Sequence, residues 1–303
     1  MKKLTILDGG MGRELKRMGA PFSQPLWSAQ ALIEAPQFVR QAHQNFITAG
    51  AQIITVNSYA CVPFHLGEER FQNEGHKLAR HAAKIAREVA NQSCDSSLNV
   101  IVAGALPPAL GSYRPDLFNP EQAKSIYNVL VEAQNPFVDV WLAETISSIA
   151  ELEANYLALK ETEKDIYYAF SLEDVEPGEA RLRSGELVKE AVEKACQFQA
   201  KGIFFNCSIP EVMEGAIEDA KKIIDRNNAK IEIGVYANNF SPISTVHFAN
   251  DTISSVRELS PQTYLQFAKQ WHKQGATIIG GCCGISPQHI QALSDWKNSV
   301  SDL

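Results

Sequence analysis

The chain has 303 residues, 45% of them hydrophobic and 21% charged, which supplies a sizeable core and excludes a disordered polymer. Its formal net charge is -7 and its lysines and arginines are scattered without a basic run, which argues against a nucleic-acid partner. The start MKKLTILDGGMG is too short in apolar residues for a secretory leader, and no later segment approaches the roughly 18 uncharged apolar residues of a membrane span, so a cytoplasmic protein without a membrane partner is expected.

In chain order, eight short β-branched or apolar runs recur, each followed by a helix-length amphipathic stretch. They are LTILD (4–8), QIITVN (52–57), NVIVAG (99–104), FVDVWLAE (137–144), IYYAFSL (166–172), GIFFN (202–206), IEIGVY (231–236) and ATIIGG (276–281). Most are apolar throughout, as parallel strands covered on both faces should be. Asn119-Pro120, Ser260-Pro261 and Ser286-Pro287 each place a capping side chain before a proline suited to a first helical turn. Gly50, Gly202 and Gly275 fall between helical periodicity and a strand, where a C-terminal glycine belongs. Tyr264, Phe267, Ala268 and Trp271 share one helical face and read as core. With no linker or charge block dividing residues 1–303, the alternation favours a single-domain (β/α)8 barrel; an open doubly wound sheet is the alternative.

A barrel gathers its active site at the C-terminal ends of its strands. Those ends carry Asp8 with Gly9 and Gly10, Asn57 with Ser58 and Tyr59, Gly104, Glu144, Ser171 to Glu173, Asn206 with Cys207, Tyr236 to Asn238, and Gly281 with Cys282 and Cys283. Three of the six cysteines are in this set. Cys61, Cys94 and Cys196 read as ordinary small residues, and six cysteines in so long a chain are no disulfide framework.

Strands six and eight are close enough across a barrel rim for Cys207 to meet Cys282 and Cys283. Three thiolates would leave one position of a tetrahedral Zn²⁺ open, the arrangement of a reactive rather than a structural site. Adjacent residues on a regular strand point to opposite faces, and Gly280, Gly281 and Gly284 would permit the bend that turns both sulfurs to one ion. The same glycines could instead cradle phosphate, which leaves the thiols without a task. A redox pair of adjacent cysteines would be strained and lacks the Cys-x-x-Cys spacing. GGMGREL (9–15) follows a strand but has Leu15 where a dinucleotide fingerprint needs a third glycine or alanine, and the histidines form no HxxxH pair.

The constellation DGGMGREL (8–15), AGAQIITVNSY (49–59), LAETISS (142–148), NCSIPE (206–211) and GATIIGGCCGISPQHI (275–290) resembles the homocysteine S-methyltransferase family, and the resemblance spans essentially the whole chain. It implies one homocysteine-binding barrel with Zn²⁺ held by Cys207, Cys282 and Cys283, where the homocysteine sulfur completes the coordination and accepts a methyl group. It further implies that Asp8, Gly9, Gly10 and Glu144 hold the amino-acid end, and that a tyrosine like Tyr59 approaches the metal in some members when substrate is absent. On the residues alone, one or both carboxylates would bind the substrate ammonium and amides around Gly9 and Gly10 its carboxylate, with Asn57 and Tyr59 as further substrate-binding candidates. A cationic methyl donor fits that chemistry, and Tyr59, Phe64, Tyr113, Tyr236 and Phe240 are the rim aromatics that could face it.

The segments AGALPPALGSYRPDLFN and VYANNFSPI depart from the family's loops after strands three and seven, the loops that would select the donor. S-methylmethionine is the leading donor, ahead of S-adenosylmethionine and a betaine. The chain is too short to append the cobalamin and folate modules of large methionine synthases. The alternative to a self-sufficient enzyme is a homocysteine-loading subunit that serves a separate corrinoid or folate protein, and homo-oligomerisation is compatible with either.

Overall fold

The structure, a computed structural model, describes residues 3–93, 99–175, 178–243 and 257–301. Eight strands appear where the apolar runs predict them: β1 (Thr5–Ile6), β2 (Ile53–Thr55), β3 (Ile101–Leu106), β4 (Val140–Ile146), β5 (Ile166–Phe170), β6 (Gly202–Asn206), β7 (Glu232–Tyr236) and β8 (Ile278–Ile279). All pairings are parallel, in the order β1-β8-β7-β6-β5-β4-β3-β2. The seam between β1 and β2 is closed by a parallel Leu7–Ile53 bridge. Gln52 N–H donates to the Ile6 carbonyl at 2.7 Å and Asp8 N–H to the Ile53 carbonyl at 3.0 Å. The sheet is therefore a closed (β/α)8 barrel, not an open doubly wound sheet.

Alternation along the strands divides the apolar side chains into two compartments. On β6, Ile203 and Phe205 pack outward under the helices while Phe204 points inward. Leu7, Ile53, Leu142, Tyr167, Phe204, Tyr236 and Ile278 fill the barrel interior. Bulk on one strand is matched by glycine on the next: a Cβ at Gly234 would lie 2.5 Å from the Phe204 ring, and one at Gly202 2.4 Å from Tyr167. That packing corrects the reading of Gly202 as a helix terminator. It opens β6, and Gln199 takes the left-handed conformation (φ 55°) after the helix Val188–Gln197. Gly50 and Gly275 do have positive φ at helix ends, as expected.

Asn119 and Ser260 cap their helices, accepting from the backbone N–H of Gln122 and Thr263. Tyr264, Ala268 and Trp271 are buried with Phe267 packed beside them, which confirms that face as core. Cys61 is buried and its thiol is pushed up to about 12 by burial, and Cys196 lies in the helix Val188–Gln197; Cys94 lies outside the described residues. Among the described residues no helix is long and apolar enough to cross a membrane.

The ends of β1 and β8 approach so closely that only glycine fits between them. A Cβ at Gly280 would sit 2.6 Å from the Asp8 carbonyl oxygen and 2.8 Å from that of Leu7, both backbone atoms with nowhere to move. By contrast, exposed Gly215 in the helix Met213–Arg226 has nothing within 4 Å of its Cβ position. We predict that Gly280→Ala lowers stability by about 1–3 kcal/mol or more, as overpacking does, whereas Gly215→Ala raises it by roughly 0.5–1 kcal/mol. Thermal unfolding of the two variants should shift in opposite directions; an unchanged midpoint for Gly280→Ala would show that the strand ends are not in contact.

Candidate active site

The C-terminal ends of the strands surround a cavity of about 210 Å³. Asp8, Gly9, Gly10, Asn57, Tyr59, Glu144, Cys207, Cys282 and Cys283, expected from the sequence to belong to one site, all line it.

Asp8 is only 5% exposed, and its carboxylate accepts from Thr55 N–H at 2.7 Å and from the Thr55 hydroxyl at 3.2 Å. It therefore neither caps a helix nor pairs with an arginine, and burial raises its carboxyl to about 7 despite the Thr55 contacts. Glu144 faces it from β4. Burial first, and the neighbouring charge of Asp8 second, push Glu144 up to about 8, while the Tyr236 hydroxyl donates to it at 3.4 Å. Among the described residues no cation pairs with either of these two buried acids.

The placement of Glu144 depends on a distortion of β4. Pairing with β5 shifts register between Ala143 and Ile146, and Thr145 adopts φ 60°, a strained conformation for a β-branched residue. Fully buried Asn206 holds it there, accepting from Thr145 N–H at 3.2 Å and donating to its hydroxyl at 3.0 Å. The next residue, Cys207, is itself left-handed at φ 48°. One asparagine thus locks the acid of β4 and the cysteine of β6 into the same wall.

Cys207 and Cys282 are joined by a disulfide with their Cα atoms 5.6 Å apart, while Cys283 is a free thiol on the same cavity wall. Bonded sulfurs are not thiolates, and among the described residues no group of three His, Cys, Asp or Glu is arranged to hold a metal ion. The structure nonetheless brings the three expected cysteines together on one cavity wall. Reduction would free two thiols across that short span beside the third, and three thiolates facing an open cavity are a donor set suited to a reactive Zn²⁺. The residues fit the ion in the reduced chain. Burial pushes the Cys283 thiol up, with Arg13 opposing. The glycines act differently from expectation: only Gly284 has positive φ (83°), whereas Gly280 and Gly281 permit close packing.

Two further expectations change. The Gly10 amide, expected to receive a substrate carboxylate, donates to the Ile285 carbonyl at 2.9 Å, and Gly10 serves close approach, since its Cβ would lie 2.5 Å from the Cys282 carbonyl oxygen. Phe64 is 37% exposed and does not line the cavity, unlike Tyr59, Tyr113, Tyr236 and Phe240. Asn57 donates to the Ser28 carbonyl at 3.4 Å, and the Tyr59 hydroxyl lies 2.5 Å from that of Ser112.

Arg13, Phe22, Trp27 and His65 also line the cavity; Arg13 lies within DGGMGREL but was given no role, and the other three belong to no motif. Burial lowers His65 to about 4, and its Nδ1–H donates to the Pro25 carbonyl at 3.1 Å, so it stays neutral. Asp174, likewise unforeseen, gathers the loops after β5, β6 and β7 by accepting from Arg183, Ile209 N–H and Ile243 N–H at 2.9–3.0 Å. Arg183 in turn lies 4.9 Å from the Tyr113 ring centroid. Such buried hubs join segments far apart in sequence and leave no local pattern.

Fold and cavity together define a (β/α)8 barrel enzyme whose site combines buried carboxylates with cysteine sulfur. Residues 5–296 match the family model for homocysteine S-methyltransferase, and the chain belongs to that family. It is 27% identical to the homocysteine S-methyltransferase YbgG of Bacillus subtilis over 98% of this chain and 95% of that protein. It is 24% identical to a selenocysteine methyltransferase of Astragalus bisulcatus over 96% of this chain and 91% of that protein. The fold superposes on the metallated form of the homocysteine methyltransferase MmuM from Escherichia coli with a TM-score of 0.80, at 24% identity, covering 97% of this chain and 96% of that one.

The buried acids make a stability prediction. Because burial holds Glu144 protonated well above its ordinary value of 4.5, its contribution to stability is complete below about 4.5 and is lost as pH rises through about 8. In substrate-free protein, Glu144→Gln should leave stability nearly unchanged in mild acid and raise it at about pH 9. Denaturant titrations across pH test this; a variant less stable than the parent at high pH would contradict a desolvated carboxyl.

Proposed function

We propose that the chain transfers a methyl group from a small onium donor, S-methylmethionine foremost, to the sulfur of homocysteine and so forms methionine, with Zn²⁺ held by Cys207, Cys282 and Cys283. The observation that carries this reading is one cavity lined by both two buried acids and three cysteine sulfurs. Zn²⁺ bound there would supply the Lewis acidity that keeps an incoming thiol deprotonated near neutral pH.

Asp8 and Glu144 receive the homocysteine ammonium. In its absence they are held partly protonated by burial, and its positive charge lets both ionise, so binding is coupled to proton release. That anchor fixes the distance from the α-carbon to the sulfur and aims the sulfur at the cysteine wall. Tyr59, Tyr113, Tyr236 and Phe240 exclude water and offer ring faces to the donor cation. The sulfur lone pair forms the new S–CH₃ bond as the donor's bond to the same carbon breaks, and its electron pair neutralises the donor's onium centre. No general base is needed, in keeping with a neutral His65 held against a carbonyl. A reducing, cytoplasmic setting would keep the three cysteines available as thiolates.

A donor and acceptor panel on the reduced, zinc-supplemented protein is the test, with methylated product as readout. S-methylmethionine, S-adenosylmethionine and glycine betaine should be offered with homocysteine, and the best donor then with selenocysteine. Methionine from S-methylmethionine without another protein is the expected result. Product only on addition of a corrinoid or folate methyl protein would instead establish a homocysteine-loading subunit. Zinc content should approach about one per chain after reduction and drop sharply in Cys207→Ala, Cys282→Ala and Cys283→Ala; full metal in all three variants would overturn the ligand assignment.

A further inference from the structure

The cavity contains one positive charge that the methyl-transfer chemistry above does not use. Arg13 projects from the short helix Met11–Arg17 and lines the cavity together with Asp8, Glu144 and the cysteines. Its helix neighbour Arg17 is paired with Glu14 at 2.6 Å, but among the described residues no carboxylate oxygen lies within 4.0 Å of Arg13. The Arg13 guanidinium carbon stands 5.8 Å from the Phe240 ring centroid, at the outer edge of a cation–π contact. It is half-buried and has no carboxylate partner among the described residues; the one anion-forming group it acts on is the Cys283 thiol, whose ionisation it favours.

An arginine without a carboxylate partner is a poor neighbour for a donor whose only charge is an onium centre, because the two cations repel at close range. A carboxylate on the donor itself removes that conflict, and guanidinium binds carboxylate through two parallel N–H···O contacts. Asp8 and Glu144 cannot fill this role from their present positions, beyond 4.0 Å, and they are committed to the acceptor's ammonium. Phe240 lies in the segment after β7 and lines the same cavity.

We propose that Arg13 is the carboxylate-recognition residue of the cavity and that it selects methyl donors bearing a carboxylate near their onium centre. The assignment rests on the methyl-transfer reading for its ligand class. The donor carboxylate is unchanged by the reaction: the methyl carbon passes to the acceptor sulfur, the donor's bonding pair stays on the donor, and Arg13 holds the departing neutral product by the same contact.

The test uses the reduced, zinc-supplemented protein, homocysteine, and two matched donors, S-methylmethionine and its carboxamide analogue, with both calorimetric binding and methionine formation measured. The parent should favour the carboxylate donor by about tenfold or more, the scale of a charge-assisted hydrogen bond. Arg13→Gln should bring the two donors to within about twofold by weakening the carboxylate donor alone, with KM for homocysteine unchanged. Arg13→Lys, which keeps the charge but not the two-point contact, should fall between. An unchanged donor ratio in both variants, or a rise confined to the homocysteine KM, overturns the assignment while methionine formation still supports methyl transfer. If binding discriminates through Arg13 but neither donor yields methionine, the assignment stands and the proposed reaction fails.

Discussion

Everything at this site depends on how closely the backbone beyond β1 approaches the backbone beyond β8. Both strands are two residues long, so the seam is completed outside the regular sheet. Gly281 N–H donates to the Asp8 carbonyl and Gly10 N–H to the Ile285 carbonyl, each at 2.9 Å. At this separation a single methyl group is excluded at Gly9, Gly10 and Gly280, where added Cβ atoms would fall 2.5–2.6 Å from carbonyl oxygens. Glycines that look like a phosphate loop in the sequence are therefore the packing condition for placing an acid from one end of the chain against cysteines from the other.

The second constraint is the strain and burial concentrated on the opposite wall. Thr145 and Cys207 both have positive φ, a conformation that costs of order 1–3 kcal/mol per residue and persists only where neighbours over-determine it. Asn206 does so for Thr145 with two hydrogen bonds from a fully buried position. Glu144 on this wall and Asp8 facing it from the end of β1 are desolvated, and among the described residues no cation is paired to them. The substrate-free cavity is thus less stable than its composition could make it, and the proposed binding of an amino-acid ammonium would recover part of that loss.

The strand runs, the barrel and the residues of the cavity were legible in the sequence because each rests on a local pattern: apolar runs, capped helices, and chemistry at strand ends. Side-chain direction was less so. GGMGREL shows where Arg13 lies along the chain, yet only the turn into its helix reveals that it enters the cavity while Arg17 pairs with Glu14. Phe22 and Trp27 arrive from a segment with no periodicity, and Asp174 ties three loops whose contacts span up to 69 residues of sequence. Gly202 and Gln199 exchanged roles because packing against Tyr167, not helix termination, decides the glycine. The sulfur state was also out of reach: thiols close enough to share a metal are close enough to bond to one another, and composition alone does not choose between the two.

Zinc X-ray absorption on the reduced protein, before and after homocysteine, tests the proposed sulfur centre most directly. The expected result is three sulfur neighbours at about 2.3 Å rising to four when homocysteine binds, with the fourth lost in Cys283→Ala. A sulfur count that stays the same on addition of homocysteine, or that survives replacement of Cys207, Cys282 and Cys283 one by one, would contradict a thiol-binding metal at the strand ends.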